Sequence, residues 1–376
     1  MRITRRVFLR NTLKAGVAFG FAMGGISPVR ASGGEEAELR IRQYRALGRT
    51  GLKVSDMGAG TYGMTNPQVL SYALDLGVNV IDTAPTYGFQ GKAEEIVGEA
   101  IKSRRRDVIV ITKWASSTSG NKERMLESLD ESLKRLRTDY VDFIALHSVS
   151  EPERLSDPEV FRAFQQAKEQ GRARFLGISS HGPNMRQVME LAVDAGTFDL
   201  ILLAYNFGEH PDLGTLLAKA HSRGVGVIAM KTLRGASRED QERFKTPGGT
   251  LRQAAFRWTL SNPNVSGLLA AMNSFSEVRE SVGASGYPLS EEEETMLRRY
   301  ARMTSRQYCR IGCDHCVGTC EREVPISDIL RFRTYLLQLG PECGAGEAYR
   351  AIAAGSSGSA CFECTSPVCT MSCPFG

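Results

Sequence analysis

The chain has 376 residues, of which 42% are hydrophobic and 24% are charged, a composition typical of a folded globular protein rather than a disordered one. Its formal net charge of +5 is misleading, because residues 1–31 carry six basic side chains and no acidic one. The other 41 of the 47 basic residues are balanced by 42 acidic residues, which excludes the basic surface typical of nucleic-acid binding.

The first segment has the pattern of an export signal. The pair Arg5–Arg6 precedes Val7, Phe8 and Leu9, which resembles the twin-arginine motif, and a short glycine-rich apolar run follows at 15–26. Its length favours a cleaved signal peptide at 1–31 over a transmembrane helix, with an uncleaved signal anchor as the alternative. The resemblance implies a protein that folds first, leaves through the twin-arginine export machinery for the periplasm, and keeps no stable membrane span after cleavage.

A hairpin is predicted at 44–52, and beyond it short apolar runs alternate with amphipathic segments. The predicted strands are 54–60, 78–82, 108–112, 140–147, 173–179, 200–205, 225–230 and 265–271, and the predicted helices are 67–76, 93–103, 122–136, 158–170, 185–195, 212–223, 251–260 and 276–285. Eight such alternations predict an α/β fold, a closed (β/α)8 TIM barrel over 32–290. A doubly wound sheet is the alternative, but no G-x-G-x-x-G motif follows the first strand.

The composition changes after residue 290. A charged helical linker is predicted at 291–305, and all nine cysteines follow residue 300. We therefore predict a second, small cysteine-rich domain at 306–376. A domain of this size buries too little apolar surface to be stable alone, so it is expected to need covalent or metal cross-links.

Polar residues end three consecutive predicted strands. Asp82 ends the second strand and Tyr87 lies in the loop after it, while Lys113 and His147 end the third and fourth strands. In a parallel barrel these positions share the face where barrel enzymes carry out chemistry. A lysine is expected to lower the pKa of a nearby phenol, which suits protonation of a carbonyl oxygen while hydride reaches the carbon. The alternative is structural: a turn cap, a surface charge and a core histidine.

With these residues the sequence resembles the aldo-keto reductase family, in a subgroup fused to a C-terminal ferredoxin-like 4Fe-4S domain. The segments that carry the resemblance are 44–52, 58–61, 82–88, 112–113, 146–147, 176–182 and 229–233. The resemblance implies that Tyr87 is the general acid, that Asp82 and Lys113 tune it, and that His147 orients a small-molecule carbonyl or alcohol substrate.

The same resemblance implies a nicotinamide cofactor. Its predicted binding residues are Gly60, Thr61, Ser179, Asn206, Met230, Lys231, Thr232 and Leu233. The family usually carries a lysine and an arginine after the last barrel strand that bind the 2′-phosphate of NADP, and our alignment puts Met272 and Val278 at these two positions. The choice among NADP, NAD and no nucleotide is therefore open at this point.

Eight of the cysteines form two runs that resemble the two-cluster ferredoxin pattern. The predicted ligands of two [4Fe–4S] clusters are Cys309, Cys313, Cys316, Cys320, Cys361, Cys364, Cys369 and Cys373. In two-cluster ferredoxins the fourth cysteine of each run binds the other cluster, so Cys320 and Cys373 are expected to exchange runs. Zinc, disulfides and a single cluster are the alternatives, and Cys343 is not predicted as a ligand.

These observations favour an exported oxidoreductase that performs carbonyl/alcohol chemistry in its barrel and exchanges single electrons with a redox partner through its tail. Two alternatives from other classes are a barrel without catalysis that serves as a scaffold or docking module, and a pure electron carrier. The substrate, the oligomeric state and the electron partner are not encoded in any motif of the sequence.

Overall fold

The structure is a computed structural model that describes residues 39–115, 118, 120–182, 184–208, 213–340 and 345–375. Within it, Leu39–Gly376 forms one compact unit. The predicted signal peptide at 1–31 and Cys343 lie outside the described residues. Across the part of the chain that is described, no helix has both the length and the apolar character needed to cross a membrane.

The predicted barrel is confirmed: the described residues include a closed barrel of eight parallel strands, in which neighbours along the chain lie side by side and the last strand pairs with the first. A hairpin of β1 (Tyr44–Ala46) and β2 (Lys53–Ser55) precedes it. The barrel strands are β3 (Met57–Gly60), β4 (Val80–Asp82), β5 (Ile109–Trp114), β6 (Val141–Leu146), β7 (Ala173–Ser180), β8 (Leu200–Ala204), β9 (Gly226–Met230) and β12 (Gly267–Ala271).

Helices follow the strands and cover the barrel. They are α1 (Pro67–Asp75), α2 (Lys92–Ile101), α3 (Lys122–Leu136), α4 (Pro158–Glu169), α5 (Met185–Ala195), α6 (Leu213–Ser222), α8 (Leu251–Ser261) and α9 (Phe275–Val282). Between β9 and α8 lie the short helix α7 (Arg238–Arg243) and a small hairpin of β10 (Lys245–Thr246) and β11 (Gly249–Thr250). Side-chain caps fix several helix starts; the Asn121 side chain, for example, accepts a hydrogen bond from the Arg124 amide at the start of α3.

The N-terminal hairpin closes the amino end of the barrel. Leu47 is fully buried and joins the interior layer of the barrel with Phe143 and Ile228. Gly48 has φ +53, and a Cβ there would lie 2.4 Å from the Gly224 carbonyl oxygen, so the hairpin and the start of β9 can approach only through glycine. Because this end is closed, the opening of the barrel lies at the carboxyl ends of the strands.

The C-terminal part packs against this opening and the side of the barrel. The predicted linker is the helix α10 (Glu291–Met303), whose residues Leu297 and Tyr300 share a small core with Ala254 and Ala255 of α8. Beyond it come α11 (Ile326–Leu339), α12 (Ala345–Arg350) and α13 (Val368–Met371), joined by turns. No strand occurs among the described residues after Ala271, so the ferredoxin-like part of the predicted fold stays a prediction.

One glycine in α2 offers a test of the barrel packing. A Cβ on Gly98 would lie 2.6 Å from the Arg135 carbonyl oxygen and 2.8 Å from the Leu136 backbone at the end of α3. We expect Gly98→Ala to lower the free energy of unfolding by about 1–3 kcal/mol, because backbone atoms cannot give way as a side chain can. The measurement is the midpoint of urea unfolding.

The matched control is Gly214→Ala in α6, where no described atom lies within 4 Å of the added Cβ. Since alanine favours helix over glycine by up to about 1 kcal/mol, this control should raise the midpoint or leave it unchanged. Equal shifts in the two variants would contradict the packing account.

Candidate active site

A cavity of about 1360 Å³ occupies the open end of the barrel. Its walls come from the loops after the barrel strands and from the C-terminal part, so the barrel and the tail enclose it together. All four predicted catalytic residues, Asp82, Tyr87, Lys113 and His147, line it. The topology explains this convergence, because the carboxyl ends of parallel strands meet at one face of a barrel.

Asp82 and Lys113 form a buried ion pair beneath this cavity. Lys113 Nζ lies 2.6 Å from Asp82 Oδ1 and donates a second hydrogen bond of 2.7 Å to the Thr83 carbonyl oxygen. Both side chains are almost fully buried. Burial raises the pKa of Asp82 and lowers the pKa of Lys113, while their mutual attraction opposes both shifts. Each residue therefore depends on the other to carry its charge.

Tyr87 lies over this ion pair with its ring toward the lysine. Lys113 Nζ is 4.7 Å from the centroid of the Tyr87 ring, and the Tyr62 ring packs edge-on against Tyr87 at 5.3 Å. The expectation that Lys113 lowers the phenol pKa is wrong for this structure. Burial is the largest cause of a pKa raised well above 10, and Asp82 and the neighbouring tyrosines add to the rise. The Tyr87 phenol therefore keeps its proton throughout the physiological pH range.

His147 contacts the other side of Tyr87. The two rings meet edge-to-face with centroids 5.6 Å apart, and Thr86 Oγ1 lies 3.4 Å from His147 Nδ1. Burial lowers the pKa of His147 to about 3, and the positive charges of Lys113 and Arg154 contribute further. The imidazole is thus neutral at physiological pH and can offer one N–H group as a hydrogen-bond donor.

The predicted cofactor residues fall into two sets. Thr61 and Asn206 are fully buried and bonded within the protein: Thr61 Oγ1 donates to the Asp82 carbonyl oxygen at 3.0 Å, and Asn206 Nδ2 donates to the Lys231 carbonyl oxygen at 3.2 Å. Ser179 lines the cavity, but its hydroxyl already accepts from the Ser148 amide at 2.9 Å. The other predicted residues that line the cavity are Gly60, Met230, Lys231, Thr232 and Leu233.

The two positions aligned with the phosphate-binding pair lie in the barrel core. Met272 and Val278 are both fully buried, and neither lines the cavity. In the first turn of α9, a Glu277 carboxylate oxygen accepts a 2.7 Å hydrogen bond from the Asn273 amide. The nearby guanidinium of Arg252 lies 3.5 Å from Glu277 and 3.3 Å from Glu280. The charge of this cation is thus balanced by carboxylates.

The tail contributes site residues that the sequence analysis missed. Tyr335 of α11 contacts the Tyr62 ring at 5.4 Å and accepts a hydrogen bond from Lys231 Nζ, and Arg331 lies one helical turn earlier. Arg331 Nη1 is 3.4 Å from His181 Nδ1. His181 stands two residues after the predicted Ser179, so its motif was visible in the sequence. Tyr335 and Arg331 were not predicted, because nothing local marks their contact with the barrel.

The first cysteine run also reaches this cavity, since Cys309 and Cys313 line it. Burial raises the pKa of the Cys309 thiol to about 11, and the thiols of Cys316, Cys313 and Cys373 add to the rise. Cys373, from the end of the second run, therefore lies within electrostatic reach of the first run. Nearby, the Arg310 guanidinium carbon is 3.4 Å from the centroid of the Phe375 ring, which fixes the chain end against the first run.

The eight cysteines in the described part of the chain are free thiols, with Cys361 and Cys364 exposed and the others partly buried. Among the described residues, no group of three or more Cys, His, Asp or Glu side chains has the arrangement that would hold a metal ion. The predicted ligand sets thus stay predictions. Burial raises the pKa of Cys316 in the first run, and Cys369 of the second run adds to the rise as Cys373 does, so this proximity does not single out Cys373 and the exchange between the runs stays a prediction.

A (β/α)8 barrel with buried acid–base side chains at its open carboxyl end has the architecture of a barrel enzyme. The sequence pattern of the Aldo/keto reductase family matches residues 65–250. The chain is 32% identical over 282 residues to L-galactose dehydrogenase of Arabidopsis thaliana, which covers 64% of this chain and 88% of that protein. It therefore belongs to the aldo/keto reductase family, and the protein is an oxidoreductase.

Solved structures agree with this assignment. An aldo-keto reductase from Klebsiella pneumoniae in complex with NADPH matches with a TM-score of 0.57 and 26% identity, covering 69% of this chain and 95% of that chain. The holo form of an aldo-keto reductase from Bacillus halodurans matches with a TM-score of 0.57 and 26% identity, covering 68% and 95%. About a third of the chain lies outside each of these matches.

Proposed function

We propose that this protein is an exported oxidoreductase that interconverts a carbonyl and an alcohol, with Tyr87 as the general acid. In this proposal a nicotinamide nucleotide binds in the cavity. Two [4Fe–4S] clusters on the tail cysteines connect the reaction to a one-electron redox partner.

The observation that carries the proposal is the buried Lys113–Asp82 pair beneath the ring of Tyr87. A substrate oxygen that gains negative charge would take the phenol proton, and the nearby ammonium group would stabilise the phenolate that is left. The neutral imidazole of His147 would donate a hydrogen bond to the same oxygen and so orient the carbonyl. In the direction of alcohol oxidation, the same phenolate would accept the proton.

The cavity fits a nicotinamide nucleotide in size and in charge. Its volume of about 1360 Å³ exceeds that of ordinary small-molecule sites, which are roughly 300–1,000 Å³. When bound, a nicotinamide supplies the hydride for carbonyl reduction. Met230, Thr232 and Leu233 are among the residues that would hold it. Because the positions aligned with the phosphate-binding pair are buried and apolar, we propose that NAD(H) binds at least as well as NADP(H).

The cysteines fit two clusters in number and spacing. Each thiolate of a [4Fe–4S] cluster bonds a different iron, so its ligands surround the cluster rather than converge on one ion. Cys309, Cys313, Cys316 and Cys373 would hold one cluster, and Cys361, Cys364, Cys369 and Cys320 the other. The first set is supported by the mutual influence of its thiols on the pKa of Cys309. Two of its members border the same cavity as Tyr87.

Export to the periplasm rests on the sequence pattern around Arg5 and Arg6. A twin-arginine substrate folds before it crosses the membrane, so clusters and nucleotide would be inserted in the cytoplasm. This order is consistent with cysteines that bind clusters instead of forming disulfides in an oxidising compartment.

The test is anaerobic purification of the full-length protein, followed by iron, sulfide, zinc and nucleotide analysis. We expect about eight iron and eight sulfide per chain, from two clusters of four. We expect Cys373→Ser to reduce the iron content of the cluster bound by the first run. A matched control is Cys343→Ser, because Cys343 belongs to neither run and is not predicted as a ligand.

The outcomes separate the parts of the proposal. Zinc in place of iron would overturn the electron-transfer part. A protein that neither contains nor binds NAD(H) or NADP(H) would overturn the hydride part. Equal iron loss in Cys373→Ser and Cys343→Ser would contradict the assignment of the cluster ligands.

A second candidate function is a scaffold or docking module without catalysis. The observation that favours it is that α11 reaches into the barrel opening, where Tyr335 bonds Lys231. In that case the clusters would be structural, and removal of the Tyr87 hydroxyl would leave the activity of the protein unchanged.

A further inference from the structure

We propose that Lys231 of the barrel and Arg331 of the tail form a binding site for a carboxylate group of the substrate, so that the substrates are oxo acids and the corresponding hydroxy acids. This inference deepens the proposed function and rests on it for the reaction. The site is formed where the tail meets the barrel, and neither part provides it alone.

The charge of the cavity wall is strongly positive. Asp82 and Glu347 are its acidic residues, against seven basic ones among the described lining residues: Lys92, Lys113, Lys231, Arg252, Arg310, Arg331 and Arg350. Several of these cations have carboxylate partners, as Lys113 has in Asp82 and Lys92 has in Glu95. Lys231 has none within ion-pair distance among the described residues, although it is largely buried. The Lys231 ammonium group is therefore available to bind an anion in the cavity.

Lys231 is held in a fixed and unusual conformation. Its φ is +57, in the left-handed region that non-glycine residues seldom adopt, and such strain is concentrated at functional sites. Its carbonyl oxygen accepts from Asn206 Nδ2 at 3.2 Å, and its Nζ donates to Tyr335 Oη while lying 4.2 Å from the centroid of that ring. The surroundings thus aim the ammonium group into the space between barrel and tail. Two of its three N–H donors are free of protein acceptors among the described residues.

Arg331 faces the same space from α11. Its guanidinium bonds Asp328 at 2.8 Å within the helix and lies 3.4 Å from His181 Nδ1, which leaves other N–H donors available for a ligand. Since Arg331 donates to Nδ1, the His181 proton lies on Nε2, toward Ser148 Oγ at 3.3 Å. Burial lowers the pKa of His181 well below 6.5, so this histidine adds no charge. The positive groups presented here are therefore Lys231, which has no carboxylate within ion-pair distance among the described residues, and Arg331, whose charge is partly offset by Asp328.

Two like charges in one partly dry space repel each other. Lys231 contacts Tyr335, one helical turn from Arg331 on the same helix, so the two cations lie near each other. Burial and then the charge of Arg331 lower the pKa of Lys231 to about 7, although Asp82 acts in the opposite direction. A carboxylate between them would replace repulsion by two charge-assisted hydrogen bonds. An arrangement that is unfavourable without a ligand and favourable with one is that of a binding site for an anion.

The distance from this site to Tyr87 selects a small substrate. The Tyr62 ring lies between them, with its centroid 5.3 Å from that of Tyr87 and 5.4 Å from that of Tyr335. A ligand whose carboxylate contacts Lys231 and whose carbonyl oxygen reaches the Tyr87 hydroxyl would therefore extend past the Tyr62 ring. An oxo acid with a short chain of carbons between its two groups fits this span.

The phosphates of a nucleotide are the other source of negative charge, so the test separates the two. We would titrate the purified full-length protein with oxalate, and with its neutral analogue oxamide, by isothermal calorimetry. Oxalate is expected to bind and oxamide to bind at least about tenfold more weakly. Lys231→Met and Arg331→Met should each weaken oxalate binding by about tenfold or more, while Lys231→Arg should retain most of it.

Lys92→Met is the matched control, since Lys92 is an exposed cation at the rim of the same cavity and is paired with Glu95. It should leave oxalate binding unchanged. Equally weakened oxalate binding in all three methionine variants would show that oxalate responds to the overall positive charge of the cavity, and would overturn the proposal. Oxalate binding that saturating NADH abolishes would assign the site to the nucleotide phosphates and would also overturn it.

A kinetic arm separates this inference from the proposed function. Reduction of 4-oxobutanoate, an oxo acid with a short carbon chain between its two groups, and of uncharged 4-nitrobenzaldehyde would be followed with NADH and NADPH. Oxalate binding as described, without reduction of either compound, would refute the function and leave the anion site standing. Reduction of the aldehyde, without oxalate binding, would refute the anion site and leave the function standing.

Discussion

Tyr87→Phe is expected to reduce the kcat of carbonyl reduction by about 10²–10⁴-fold, because the variant removes the proton donor and leaves the ring in place. Binding of the nicotinamide nucleotide should be unchanged, since the lost hydroxyl acts on the substrate oxygen. The measurement combines steady-state kinetics on an uncharged aldehyde with fluorescence titration of NADH. Tyr72→Phe is the matched control, because Tyr72 packs against Phe275 on the barrel exterior.

The pH dependence tests the same assignment. The pKa of Tyr87 is raised well above 10 by burial, so its acid form persists until the solution becomes strongly alkaline. The pKa of His147 is lowered to about 3, so its imidazole is neutral at every higher pH. For an uncharged aldehyde, kcat/KM should show no inflection from either residue between about pH 5 and 9.

Two results would contradict the role of Tyr87. Unchanged kcat in Tyr87→Phe would favour a scaffold over a catalyst. An inflection near pH 6.5 that disappears in His147→Gln would show that His147 titrates in the working range, contrary to its buried environment.

Lys113→Met is expected to lower the free energy of unfolding by about 3–5 kcal/mol, because it leaves Asp82 as a buried charge without its partner. Activity should fall as well, since no cation would remain to stabilise the Tyr87 phenolate. The measurement is urea unfolding followed by tryptophan fluorescence, to which the fully buried Trp114, next to Lys113 in β5, and Trp258 both contribute.

The double variant Asp82→Asn/Lys113→Met isolates the charge effect. It removes both charges and should recover much of the lost stability without recovering activity. The control is Lys102→Met, which breaks an exposed pair with Glu99 and should change the midpoint little. If the loss of unfolding free energy in the double variant equalled the sum of the losses in Asp82→Asn and Lys113→Met, the two charges would not be coupled.

The sequence was sufficient to predict the barrel. Buried strands such as β5 and β6 are almost continuous runs of apolar and β-branched residues, and amphipathic segments separate them. Strict alternation of this kind has few solutions other than a parallel barrel. The ends of the elements were predicted less accurately. The predicted strand 54–60 is divided in the structure between β2 and β3, and Asp56 lies at the break, where its carboxylate accepts a hydrogen bond of 2.7 Å from Ser285 Oγ.

The convergence of the four predicted catalytic residues was also available from the sequence, since topology brings the ends of parallel strands to one face. Their electrostatics were not. A lysine near a tyrosine was expected to lower the phenol pKa, but burial has the larger effect in the opposite direction, and Asp82, Tyr335 and Tyr62 add to it. Desolvation depends on how the whole chain packs around a group, and the effect of Tyr335 comes from the tail.

The sequence therefore determined the fold of the barrel, the titratable residues at its open end and the two cysteine runs, because each follows from local periodicity or residue spacing. Only the tertiary structure decided that the tail helix α11 enters the barrel opening and adds Arg331 and Tyr335 to the cavity. It also decided that Cys373 lies near the first cysteine run. The contact of Lys231 with Tyr335 joins residues 104 positions apart. Its formation depends on the packing of the whole chain, which no local pattern records.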